Sequence, residues 1–447
     1  MDLHILPLTE PGSADKFIIY RPLLGLAFIG NRAMAELAQQ LSAASPGTPP
    51  PDTPAGNLLR SLGFFQPDPP CPEQVSAGFN TVVLLLTNRC HLRCVYCYAD
   101  AGVEAPLELD VTHGKIAIDA VCAQVQAAGL SQFEVSFHGG GEPTFAWETL
   151  KALTEYARAK PVKTKVSLTT NAIWSPQQRE WILANIDNLS ISMDGSPQTQ
   201  DAQRPLASGG PSSGIVLNNL AAVDRSGVTY GIRMTATAPW ERFPEDVRYI
   251  VEHTGCKYIQ VEPAFNIKRG EHALPGETDC REFIQAFLEA YEVACSRQRK
   301  LIYSGARPGT ASPTFCLAPY KALVVAPGGK LVACYEVASQ DHPLYALSAF
   351  GSITGQGVQV DEPNRQRLHR LFAERRATCR ECFCYWSCGG DCYARVFQDG
   401  PEGHLVKSLR CELNREITQQ LLLNLIEAGN GVWARHPAEQ SPAGGLG

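Results

Sequence analysis

At 447 residues the chain exceeds the usual size of one compact domain, so two or three units with ample buried core are expected. A formal charge of -6 and a pI near 6.0 provide no basic stripe to track a phosphate backbone, which argues against nucleic acid as a partner. The opening MDLHILPLTEPGSADK has no cationic segment followed by a long apolar one, and no later stretch approaches the ~20 apolar residues that span a bilayer, so a soluble, cytoplasmic protein with no membrane partner is expected.

From the N-terminus, Lys16 to Ile29 reads as two short strands around the Arg21-Pro22 break, and Asn31 is suited to cap a helix running to about Leu41. Ser42 to Asn57 is Pro-rich, polar and aperiodic and reads as a linker; residues 1–77 are assigned to a small N-terminal α+β unit plus this linker. Residues 78–300 then alternate short β-rich runs with longer segments of helical period, the pattern of a parallel sheet with crossover helices. Strands are predicted at Thr81–Thr87, Gln132–His138, Lys165–Thr170, Leu189–Met193, Thr229–Thr237 and Lys257–Glu262. Helices are predicted at Val111–Ala128, Trp147–Ala159 and Ser212–Ser226, the last starting in serines suited to N-capping and stopping at Gly227. Six such units make an α/β fold, a partial TIM-like (β/α)6 barrel, in which chemistry belongs on the loops after the C-terminal strand ends. After a helical segment at Asp279–Lys300, residues 301–428 read as a cysteine-dense second domain closing in an amphipathic helix at Glu412–Glu427, and residues 429–447 read as a disordered tail.

The chain holds 16 cysteines, and a reducing compartment keeps thiols free, so metal ligation or thiol chemistry is the first explanation for them. TNRCHLRCVYCYAD follows the first predicted strand and sets Cys90, Cys94 and Cys97 at CxxxCxxC spacing. Three thiolates from one loop can hold three irons of a [4Fe–4S] cubane and leave the fourth iron open to a non-protein ligand. The bland alternatives are incidental thiols or structural zinc, but such zinc wants four protein ligands and no fourth adjoins this loop.

This spacing, with Tyr96 before the last cysteine, resembles that of the radical S-adenosylmethionine (SAM) superfamily. The resemblance implies a catalytic [4Fe–4S] cluster on Cys90, Cys94 and Cys97, SAM chelated to its open iron, and a 5′-deoxyadenosyl radical that removes a substrate hydrogen. FHGGGEPTF, after the second strand, resembles the family's GGE motif with Gly140, Gly141, Glu142 and Pro143 matched. Its glycines would let backbone approach the methionine moiety, and a carboxylate or carbonyl nearby would accept from the SAM ammonium group. TTNA at Thr169–Ala172 resembles TNG with alanine for glycine, and ISMDGSPQTQDAQRP resembles the SxDG segment and its D-x-x-R through Ser192, Asp194, Gly195, Asp201 and Arg204. Tyr96, Ser167, Asn171 and Ser192 thereby become candidate SAM contacts, with Arg204 structural or substrate-facing. Each alone could be an ordinary turn or cap; their order and loop placement carry the resemblance.

Cys316, Gly329, Cys334, then CRECFCYWSCGGDC with Cys379, Cys382, Cys388 and Cys392, and finally Cys411 form a second pattern, similar to the SPASM domain of peptide- and protein-modifying radical SAM enzymes. The resemblance implies two auxiliary iron–sulfur clusters, one held completely by Cys379, Cys382, Cys388 and Cys411 and one by Cys316, Cys334 and Cys392. The family's eighth cysteine has no counterpart in RPGTASPTFC, so that iron is open or takes a distant ligand; Cys280, Cys295 and Cys384 are conceivable but read as plain thiols. A zinc ribbon is the competing reading of the same segment, and Cys71, Cys122 and Cys256 read as buried small hydrophobes. The implied function is oxidative modification, such as crosslinking, of a ribosomally made precursor peptide, with a reductant such as a flavodoxin or ferredoxin as second partner. The N-terminal unit is a candidate to grip a leader segment by strand addition. Two alternatives remain. Anaerobic sulfatase maturases, which make formylglycine, resemble the chain but carry an aspartate just after the second auxiliary cysteine, where Tyr335 and Glu336 follow Cys334 here. A non-enzymatic zinc- or cluster-binding interaction protein is the other.

Overall fold

The computed structural model describes residues 1–8, 15–43, 51–71, 78–103, 105–265, 267–271, 273, 275–398, 404–405 and 409–435. The N-terminal unit is an antiparallel meander of β1 (His4–Pro7), β2 (Lys16–Arg21) and β3 (Leu26–Asn31). The Arg32–Ala43 helix follows, and the Asn31 side chain accepts from the Met34 N–H at 2.9 Å, as a cap should. Part of the expected linker, residues 44–50, lies outside the described residues. The rest is corrected: Pro54–Ser61 is a helix capped by Thr53, with Leu59 fully buried beside Phe28 and Phe64. Its proline sits in the first turn, where it lacks no hydrogen bond and its fixed φ favours a helical start.

Seven parallel strands come next in sequential order: β4 (Thr81–Leu84), β5 (Gln132–Phe137), β6 (Lys163–Thr170), β7 (Asn188–Ser192), β8 (Tyr230–Ala236), β9 (Tyr258–Pro263) and β10 (Lys300–Tyr303). In β6 the buried residues alternate, so Thr164, Val166, Leu168 and Thr170 share one face and Lys165, Ser167 and Thr169 the other. Helices Val111–Ala127, Trp147–Arg158, Ser213–Ser226, Phe243–His253 and Glu277–Ser296 separate strands much as the sequence pattern indicates. Gly227 ends the third of these at φ 77°, a conformation that suits glycine. Its start is capped differently from expectation: the Ser212 side chain makes no cap bond, and Asp201 accepts from the Ser212 and Ser213 N–H groups at 2.8 and 2.7 Å. All six predicted strands are present, and the short apolar run of β10 adds a seventh parallel strand beyond β9.

The cysteine-dense segment is not a separate layer. β11 (Ala322–Ala326), wholly buried, pairs in parallel with β4, and β12 (Lys330–Val332), β13 (Ala349–Thr354) and β14 (Gly357–Val360) continue antiparallel, giving one eleven-stranded sheet. The expected 301–428 domain therefore shares the barrel's sheet at its β4 edge. Helix Glu362–Ala377, a two-residue ladder of β15 (Phe397–Gln398) with β16 (His404–Leu405), and helix Leu409–Ala428 follow. The disordered-tail expectation is corrected for residues 432–434: β17 (Val432–Ala434) pairs with β3, and Trp433 is buried beside the Tyr20 ring, centroids 6.4 Å apart. Residues 436–447 lie outside the described residues. Among the described residues no helix is long and apolar enough to cross a membrane.

Candidate functional site

Cys90, Cys94 and Cys97 sit on the loop leaving β4, at the C-terminal mouth of the parallel strands. The loop is held from two sides. Arg93 N–H and Val95 N–H donate to the Pro205 and Gln203 carbonyls at 2.8 and 2.9 Å. Arg269 donates to the carbonyls of Cys94 and Ala101 at 2.6 and 2.9 Å and pairs with Asp100 at 2.7 Å. Two N–H groups face the Cys90 sulfur, Leu92 N at 3.4 Å and Asn171 Nδ2 at 3.6 Å, and Arg204 Nη1 lies 4.0 Å from the Cys94 sulfur. Burial, helped by the Glu142 charge, pushes the Cys90 thiol up to about 12, and burial takes Cys94 to about 11. Cys90 and Cys94 stay protonated as free thiols near neutral pH, so a bound cationic centre is what would make them thiolates.

The glycine loop after β5 packs onto the cysteine loop. Gly139 and Gly140 take φ of 66° and 65°, and a Cβ on Gly141 would lie 2.0 Å from the Arg89 carbonyl oxygen. The close approach expected toward a ligand is thus an approach to the chain's own backbone. Glu142 is tied into the protein. Only 3% exposed, its Oε1 accepts from Thr144 N, Thr144 Oγ1 and Thr170 Oγ1 at 3.2, 2.8 and 2.7 Å, and its Oε2 from Asn171 N at 2.8 Å. It clamps the second strand loop to the third.

Asn171 is aimed at Cys90, as above, with its Oδ1 accepting from Ile173 N–H at 3.0 Å. Ser167 is tied within the strands, donating to Glu134 and accepting from Asn188 Nδ2 at 3.1 Å. Ser192 is half-buried at the end of β7. Tyr96 donates to Asp194; that carboxylate is fully buried, pairs with Arg204 at 2.9 Å and accepts from Thr235 N–H at 2.9 Å. Arg204 is therefore structural. Beside this network a cavity of about 210 Å3 opens between the ends of β7 and β8, lined among others by Val95, Asp194, Gln203, Met234, Thr237 and Ile267. Except for Asp194, sequence reasoning missed these side chains; their one signal was position just past a predicted strand end or on the cysteine loop.

The C-terminal cysteines gather in two groups. Burial and then the charges of Glu336, Cys392 and Cys316 raise the Cys334 thiol, so Cys316 and Cys392 belong with Cys334. Cys388, raised by burial, feels Cys411 and Cys382, and Cys379 lies on the same helix end as Arg375, whose Nη2 donates to the Cys411 sulfur at 3.2 Å. Cys384 is buried among Tyr20, Phe383 and Leu422, Cys280 is buried against the Leu409 carbonyl at 3.7 Å, and Cys295 is exposed. Cys122 and Cys256 are buried as expected, but Cys71 is exposed. Among the described residues no three Cys, His, Asp or Glu side chains are close enough to share one metal ion, whereas a cubane offers a separate iron to each thiolate. Donor sets made of cysteine sulfurs are those that hold iron–sulfur clusters.

Residues 84–250 match the model of the radical SAM superfamily. Fe-coproporphyrin III synthase of Methanosarcina barkeri is 30% identical over 157 residues, 34% of this chain and 36% of that protein. Sporulation killing factor maturation protein SkfB of Bacillus subtilis is 23% identical over 259 residues, 56% of this chain and 59% of that protein. The chain thus spans from about a third to three fifths of the length of these relatives. The solved structure of native anSMEcpe with bound AdoMet and Kp18Cys peptide superposes with a TM-score of 0.61 at 18% identity, over 78% of this chain and 99% of that one, which shows a shared fold. The matched segment holds the first cysteine loop, the glycine loop, Asn171 and Asp194, so the chain carries a radical SAM domain; members of that superfamily are enzymes that use SAM and a [4Fe–4S] cluster.

Proposed function

We propose that the chain is a peptide-modifying radical SAM enzyme of the SPASM type. Cys90, Cys94 and Cys97 would hold the catalytic cluster, the cavity between β7 and β8 would take the adenosine of SAM, and the two C-terminal groups would hold auxiliary clusters. Bound together, the cluster and SAM supply a 5′-deoxyadenosyl radical that abstracts hydrogen, here from a ribosomally made precursor peptide that is crosslinked or otherwise oxidised. The carrying observation is that the first cysteine loop and the Cys334 turn face one interior. The Tyr98 phenol is raised by burial and by the charges of Glu336, Cys97 and Cys334 together, and the Tyr335 ring lies 4.8 Å from that of His138 at the end of β5. A substrate residue held there would stand between radical source and electron acceptor.

Chain groups already prepared for a peptide support this reading. His138 accepts from Arg233 Nη1 at 2.7 Å through Nε2. Burial and the Arg233 charge bring its pKa down to about 3, so the ring is neutral and its Nδ1 carries the proton. That buried Nδ1–H has no partner among the described residues and suits a peptide carbonyl. Two relatives' names, maturation of a killing factor and synthesis of a porphyrin, differ widely, so the substrate is not set by the shared barrel segment alone. The test combines full-length reconstituted protein, SAM, dithionite and the small peptides encoded beside its gene. Release of 5′-deoxyadenosine with a peptide mass loss is expected. No 5′-deoxyadenosine would refute the radical chemistry, 5′-deoxyadenosine without peptide change would refute the substrate class, and formylglycine in a sulfatase-motif peptide would make the chain a sulfatase maturase.

A further inference from the structure

We infer that Arg233 sets substrate specificity from inside the barrel by taking a carboxylate of the peptide. The inference rests on the peptide-modifying reading above and adds the chemistry the peptide must bring. The strands explain why an arginine stands there. Val135, Val166, Ile191, Ile232 and Val261 are buried in one core with helix residues such as Leu153 and Ile250, so that face of the strands is the outer one. The alternate residues face the other way. They are polar and only partly buried: Ser136 on β5, Ser167 and Thr169 on β6, Ser190 on β7, Arg233 on β8 and Gln260 on β9.

Arg233 reaches across this interior. In the sheet β8 is separated from β5 by β7 and β6, yet Arg233 Nη1 donates to His138 Nε2 at 2.7 Å. Its Nη2 points at Gln260 Oε1 at 3.4 Å, and the Gln260 amide nitrogen donates to Ser304 Oγ at 2.8 Å. Both acceptors are neutral, so the guanidinium is oriented but its charge is not answered. Carboxylates that share the interior or adjoin it serve other groups. Glu336 takes two bonds from Arg395 at 3.0 and 2.7 Å, Glu262 pairs with Arg410 at 3.4 Å, Asp194 pairs with Arg204 at 2.9 Å, and Glu134 accepts from Ser167. Among the described residues no carboxylate lies within ion-pair distance of Arg233.

A guanidinium keeps its charge at all working pH values and presents five N–H donors in a planar fork that matches a carboxylate. Holding it partly out of water without a counter-charge costs free energy that an arriving carboxylate offsets through charge-assisted bonds. The surroundings also say where that group sits. Glu262 Oε1 is buried without a donor and repels a second carboxylate, which leaves the His138 side of the fork. There His138, 7% exposed, turns an unpartnered Nδ1–H inward, and the Tyr335 ring lies 4.8 Å from it. A peptide residue is thus held twice, by its carbonyl on His138 and by its carboxylate on Arg233.

The test titrates reconstituted holoenzyme, with SAM and without reductant, against small blocked peptides followed by ligand NMR. Acetyl-Gly-Asp-Gly-amide is set against its Asn counterpart for a side-chain carboxylate, and acetyl-Gly-Ala acid against its amide for a chain terminus. One acid should bind at least about tenfold more tightly than its amide, as a charge-assisted pair gives, and the pair that shows the preference identifies the source. Arg233→Gln should bring that ratio to about one, and Arg233→Lys, which keeps charge without the fork, should keep part of it. Equal binding of acid and amide by the wild type, or a ratio that survives Arg233→Gln, would overturn the inference. So would loss of SAM binding in Arg233→Gln, because the arginine would then serve the cofactor. Should Arg233→Gln shed iron, Arg233→Lys at full iron content decides, an undiminished ratio counting against the site. Holoenzyme that releases 5′-deoxyadenosine and modifies a peptide without any acid preference refutes this site alone; holoenzyme that releases none refutes the reading beneath it.

Discussion

The two cysteine-bearing regions are held in place by different means. Cys90, Cys94 and Cys97 come from one short loop, splinted by Arg93 and Arg269 acting on its own carbonyls. The C-terminal cysteines come from four separate stretches of chain between Cys316 and Cys411 and depend on a sheet edge, two helices and buried ion pairs to meet. Local construction makes a site robust to distant change but sensitive to its own loop contacts. Assembled construction makes it sensitive to every long-range pair, and the two should fail independently.

The strongest way to break the first region alone is Glu142→Ala. It leaves the buried donors of Thr144, Thr170 and Asn171 without their acceptor, at roughly 1–3 kcal/mol for each group left unsatisfied. A loss of about 4 kcal/mol in chemical denaturation is expected, together with the iron of the first site and retention of the C-terminal iron. The matching change in the second region is Asp391→Ala. Asp391 and Arg410 are 1% and 3% exposed and paired at 2.9 Å, and Asn414 also donates to Asp391 at 3.2 Å. Removing one partner of a buried pair costs about 3 kcal/mol or more, and iron should now be lost from the C-terminal sites while SAM cleavage at the first persists. Equal loss of iron from both regions in either variant would show that they are one cooperative unit.

The same contrast decides what could be read from sequence. Strands β5 to β9 and the first cysteine loop follow from patterns within a few residues, and their places match the expectation closely. What was missed depends on partners far along the chain. Asp201 caps a helix starting twelve residues later, in place of the serines beside it; Trp433 makes a tail into a strand only because β3 offers an edge; the bonds of Glu142 to Thr170 and Asn171 join loops far apart in sequence. Composition misled at Pro54–Ser61, where proline lies at the helix start, and β10 went unread at the start of the cysteine-dense segment because four residues carry too little period to mark a strand.

A milder probe of the interior between the regions is acid. An unfolded histidine takes up a proton below about pH 6.5, whereas folded His138 stays neutral down to about pH 3. Between these values the unfolded state binds the extra proton, so stability falls as pH falls, by up to about 1.4 kcal/mol per pH unit. His138→Gln should flatten the drop in denaturation midpoint between about pH 6 and pH 5; an unchanged slope would place the acid sensitivity elsewhere.

The smallest effect expected separates loop order from global stability. Arg269 is partly exposed, and its pair with Asp100 is worth little by itself, but its planar fork also takes the carbonyls of Cys94 and Ala101. Lysine keeps the charge and offers one donor point where arginine offers several, so Arg269→Lys should cost about 1 kcal/mol, confined to the loop. Hydrogen exchange should quicken at residues 94–101 with the unfolding midpoint nearly unchanged, and a chelator should strip iron from the first site faster while the C-terminal iron stays. If the midpoint fell without any local change in exchange, the loop would be an extension of the core, and the distinction between a locally splinted site and an assembled one would not hold.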